Sequence, residues 1–75
     1  MNNERRTRIR KIIDKIENLK SDLQDVLSEE EFAFDNMPEN LQYSERGEVS
    51  QEAIDYMNEA VDGLDEVIEQ LESIN

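Results

Sequence analysis

The chain has 75 residues, 20 acids against 8 bases and a formal net charge of −12, and it contains neither cysteine nor histidine. This composition excludes disulfides, thiolate chemistry and the usual zinc ligands, and it excludes anionic lipid or nonspecific nucleic acid as a partner of the surface as a whole. A single core is marginal at this length, so further burial has to come from association or from very regular helix packing.

One proline, two glycines and an abundance of Glu, Asp, Leu and Ile predict an all-α protein. The chain opens on polar Asn2, Asn3 and Glu4 and carries no apolar run of signal or membrane length, so it reads as cytoplasmic. In chain order, a first helix is expected over about 4–34. Ile9, Ile12, Ile16, Leu19, Leu23 and Val26 step by three and four without a miss and form its seam, which Ile13 and Leu27 thicken. The stripe weakens at Glu30 and Ala33. Such a helix is roughly 45 Å long at 1.5 Å per residue, too long to be held by propensity alone, so its stripe must meet another.

An elbow is expected over 35–47, where Pro38 disfavours a helical Met37 and the Asx, Ser and Gly residues supply turn chemistry. Residues 38–42 can form one short helical turn with Pro38 as its first residue. Ser44 reads as the N-cap of the next helix, with Ser50 as the competing cap.

The last helix is expected over about 45–74. Its seam runs Ala53, Met57, Ala60, Leu64, Val67, Leu71, Ile74, widened on one side by Ile54, Val61 and Ile68. On the opposite face the same alternation places Glu45, Glu48, Glu52, Asp55, Glu59, Asp62, Glu66 and Glu69. Like charges three and four apart destabilise a helix by a few tenths of a kcal/mol per pair, so these acids cost stability. With a short connection, the two long helices are expected to form one antiparallel hairpin. Residues 1–20 carry seven bases and three acids, and residues 21–75 one base and 17 acids. Antiparallel packing is therefore expected to bring Arg5, Arg8, Lys11 and Lys15 beside Asp62, Asp65, Glu69 and Glu72. Each seam fills three of every seven positions, a width that suits a bundle, so two hairpins are expected to assemble into a four-helix bundle, making a homodimer.

Three functional readings compete. The acidic stripe is a solvated outer face, as charge runs ordinarily are, or it imitates a phosphate backbone and occupies the basic groove of a DNA-acting protein. Glu45, Glu48, Glu52, Asp55, Glu59 and Asp62 would then be the contact residues, with Phe32 and Tyr43 at the elbow as aromatic anchors. The third reading has the start, Arg5, Arg6, Arg8, Arg10 and Lys11, grip nucleic acid directly, although no aromatic residue interleaves it for base stacking. Neutralisation by the last helix is the simpler account of those bases. Gly63, in a helix interior, hints at a close backbone approach within the hairpin or across an interface. No enzyme is expected, because nothing here titrates near neutral pH and no serine has a visible base. Neither a cofactor nor a metal is expected: Glu29, Glu30, Glu31 and Asp35 lack the spacing and glycine of a calcium loop.

The elbow motif FDNMPENLQYSERGE, residues 34–48, set between a basic-starting helix and an acid-spaced one, resembles small acidic helical-hairpin proteins encoded by phages and mobile elements of Gram-positive bacteria. The resemblance rests on Asn36, Pro38, Glu39, Leu41, Gln42, Ser44, Glu45, Arg46 and Gly47. It implies a non-enzymatic inhibitor of a basic host enzyme that acts on DNA, working in the bacterial cytoplasm.

Overall fold

The computed structural model describes residues 1–74, and its elements are helical: α1 (Asn3–Asp35), α2 (Glu39–Gln42) and α3 (Glu45–Glu72). Helix α1 packs antiparallel against α3 as a helical hairpin, and α2 lies in the elbow against the start of α3. The molecule is a rod of 58 × 15 × 12 Å with a radius of gyration of 17.2 Å, against about 11 Å for a compact chain of this length. Its core is therefore one long seam.

Local chemistry explains where each helix begins and ends. Asn2 caps α1, its side chain accepting from the Arg5 N–H at 2.9 Å. At the other end Asn36 turns back twice, its backbone N–H and its side-chain amide both donating to the Phe32 carbonyl. Pro38 stands outside α2 as its N-cap, one position earlier than expected, with an extended ψ of 143°. Ser44 wins the competition to cap α3, its oxygen accepting from the Gly47 N–H at 3.5 Å. Ser50 is buried inside the helix and donates instead to Glu30 Oε1 at 3.1 Å.

The seam is not centred where the sequence pattern puts it. Lettered as heptads with Ile13 of α1 and Ile54 of α3 at position a, the buried apolar side chains Ile13, Leu27, Ile54, Val61 and Ile68 all fall at a. The d residues Ile9, Ile16, Leu23, Met57, Leu64 and Leu71 are half-buried. The g residues Ile12, Leu19, Val26, Ala60 and Val67, expected in the seam, are exposed. Ile54, Val61 and Ile68, expected at its margin, are its centre. The cause is that the a/d rows carry Arg6, Lys20, Glu30 and Ser50, which makes the d/g row of α1 look cleaner. The hairpin nevertheless closes on a/d, and Glu30 with Ser50 provides a hydrogen-bonded layer there.

Among the described residues one ion pair joins the helices, Lys20 Nζ to Asp65 Oδ1 at 2.6 Å. The expected neutralisation of Arg5, Arg8, Lys11 and Lys15 by α3 is absent among these residues. Arg8 and Lys15 lie at c and Lys11 at f, on outward faces of α1, while Asp62 and Glu69 lie at b, on an outward face of α3. The groups are at similar heights but on different sides. Lys20 escapes this because it sits at a, in the row that faces α3. Its hydrogen bond to Asp65, with the charges of Asp65 and Glu17, raises its pKa above 10.5 against the opposing effect of burial. A raised folded value means that the contribution is complete below 10.5 and is lost as pH climbs through the folded value. Urea unfolding across the alkaline range should show a small loss of stability that Asp65→Asn removes; an identical alkaline profile in the variant would contradict this.

A candidate acidic interface on α3

Eight of the ten acids of α3 share one outward side of the helix. Its acids Glu45, Glu48, Glu52, Asp55, Glu59, Asp62, Glu66 and Glu69 fall at b and f, pointing away from α1, and all eight are exposed. None forms an ion pair among the described residues. Asp55 accepts a hydrogen bond from Gln51 at 3.0 Å, one turn back on the same helix. From Glu45 to Glu69 the row covers roughly 36 Å at 1.5 Å per residue, close to the ~34–36 Å of one DNA turn. Its charges come about every 5 Å of rise, sparser than the ~3.4 Å per phosphate of one DNA strand.

The structure does not bring the two proposed aromatic anchors together with this row. Phe32 is 72 % exposed but occupies f on α1, the opposite outer edge of the hairpin. A flat partner surface cannot touch Phe32 and the α3 acids at once. Tyr43, 80 % exposed, stands at the end of α2, one residue before the cap of α3, and is the aromatic nearer in sequence to Glu45 and Glu48. The arginine-rich start forms no single basic face: Arg5 lies at g, Arg6 at a, Arg8 at c, Arg10 at e and Lys11 at f, all around the helix. Among the described residues no group of three or more acids converges as a metal site would, and no described helix is long and apolar enough to cross a membrane.

The elbow motif is occupied with holding the fold. The Gln42 side chain donates to the Phe34 carbonyl at 3.0 Å and to the Met37 carbonyl at 3.3 Å, tying α2 to the end of α1 and to the residue just past its cap. Ser44 Oγ donates to the Leu41 carbonyl at 2.5 Å, so one hydroxyl ends α2 and starts α3. Gly47 is buried against α2, and a Cβ built there would collide with the Gln42 carbonyl and fall 2.5 Å from the Leu41 oxygen. These contacts depend on the folded elbow; only the Ser44 cap has a local sequence signature. Gly63, by contrast, has nothing within 4 Å of its would-be Cβ, so it makes no close approach within the hairpin.

No protein-family model matches this sequence, and neither a curated protein nor a solved structure shows significant similarity to it.

Proposed function

We propose that this chain is a non-enzymatic binding protein that covers a basic, nucleic-acid-binding surface by presenting the α3 carboxylates in place of phosphates. Its setting in this reading is a phage or mobile element, and its target is a DNA-acting enzyme in the bacterial cytoplasm. The observation that carries it is the unbroken row of eight exposed acids, kept on one outward face at a cost to the helix and left without intramolecular cations. A stiff row of charge raises the encounter rate with a basic groove and competes with the groove's ligand. Tyr43 supplies an apolar contact beside the row; Phe32 belongs to a second edge.

A second reading, that the hairpin is an assembly module whose acids provide solubility, is favoured by the exposed apolar flank at g, which a free-standing hairpin does not need. The two separate on Glu52→Lys, Asp55→Lys and Glu59→Lys combined. Occlusion predicts that the immobilised wild-type chain retains basic proteins from a bacterial lysate at low salt and releases them to duplex DNA. The reversed variant, with unchanged circular dichroism, should retain at least tenfold less. Equal retention by both, or retention that duplex DNA does not compete, rules the occlusion reading out.

A further inference from the structure

A two-fold axis perpendicular to the hairpin relates its two antiparallel helices, so equal heptad letters lie on the same broad face. On one face every e position is polar, from Arg10 to Glu31 on α1 and from Gln51 to Glu72 on α3. The c/g face is different. Six of the eleven large exposed apolar side chains fall on it, Ile12, Leu19 and Val26 from α1 and Val49, Tyr56 and Val67 from α3. On α3 the c and g positions carry no charge after Arg46. The hairpin exposes 5871 Å² where a compact chain of its mass exposes about 4,800 Å². A face 58 by 15 Å across has room for the roughly 800 Å² per partner that a specific complex buries.

Charge selects the occupant. The c row of α1 reads Arg8, Lys15, Asp22, Glu29, two bases and then two acids, which is self-complementary when a second α1 runs the other way. Arg8 then meets Glu29 of the second copy, and Lys15 meets its Asp22. The same alignment places Leu19 on Leu19 and Ile12 on Val26, and its centre coincides with the middle of α1. Glu30 bonded to Ser50 sets the register of the hairpin, and in that register Leu19 is level with about Val61. There α3 has its small residues, Ala60 and the open Gly63, where two α3 helices can approach closely.

We propose that the c/g face binds a second copy of this chain, α1 against α1 and α3 against α3, with the elbows at opposite ends of a four-helix bundle. The half-buried d residues become its core. Each acidic elbow lies beside the basic start of the other copy, and both acidic rows stay uncovered at b and f. The assembly is independent of what those rows bind.

Sedimentation equilibrium of the full chain should give twice the 8.8 kDa of one chain; a single-chain mass that does not change with concentration overturns the proposal. Orientation is read from disulfides, since the chain has no cysteine of its own. Leu19→Cys sits on the axis and should cross-link to itself under mild oxidation, whereas Gln24→Cys, on the polar face, should not. Equal cross-linking at the two positions, or none at Cys-substituted Leu19, overturns this arrangement. Lys15→Glu should weaken the dimer on the order of tenfold with helicity retained, and adding Asp22→Lys should restore it; a double variant as weak as the single one counts against the pairing.

Discussion

Replacing Gly47 by alanine should cost about 3 kcal/mol or more and lower the Tm by more than about 10 °C. Glycine to alanine inside a helix ordinarily gains about 1 kcal/mol, so the expected sign is opposite to the rule. The reason is the pair of carbonyls from Leu41 and Gln42 that a Cβ at this position would strike. Both are backbone, and neither can swing away without pulling α2 from the start of α3 and straining the Gln42 amide bonds to Phe34 and Met37. Chains of this length are stable by roughly 4–11 kcal/mol, so this single methyl removes a large share. Gly63→Ala is the control. Its Cβ meets nothing within its own chain, and at concentrations where the chain is single it should gain about 1 kcal/mol. Urea unfolding of both variants checks the pair, and a stabilised Gly47→Ala would refute the close packing of the elbow.

The second large effect separates two adjacent isoleucines. Ile13 is 9 % exposed and Ile12 47 %, so Ile13→Ala should lose roughly 2–4 kcal/mol of hairpin stability through the cavity it leaves. Ile12→Ala removes surface that the hairpin does not cover. Its effect should be small in dilute chain and should grow with concentration as the second copy binds, while the Ile13→Ala loss is present throughout. Equal losses from the two variants at all concentrations would show that the seam is centred as the sequence alone suggests.

That contrast shows how far the residues can be read without the structure. Helix type, the antiparallel hairpin, the Ser44 cap and the outward acids follow from local spacing and cap chemistry, because each depends on residues within a turn or two. The seam does not. Three of seven positions are apolar on each helix, and which two of the three meet the other helix is decided by the packing of the two helices together, which spacing within either one does not fix. The misassigned row contains the residues left over for another surface. The intramolecular charge pairing failed for a related reason: net charge by segment predicts height along the rod, whereas an ion pair also requires the right angle around it. Phe32 was likewise legible as exposed, but not as standing on the edge away from the acids.

No side chain among the described residues is fully enclosed, as expected of a molecule only two helices thick. Unfolding such a rod uncovers less apolar surface per residue than unfolding a globular domain, and its heat-capacity increment falls below the usual ~12–15 cal/mol/K per residue. A small increment flattens the curve of stability against temperature. The single hairpin therefore gives up little of its stability on cooling.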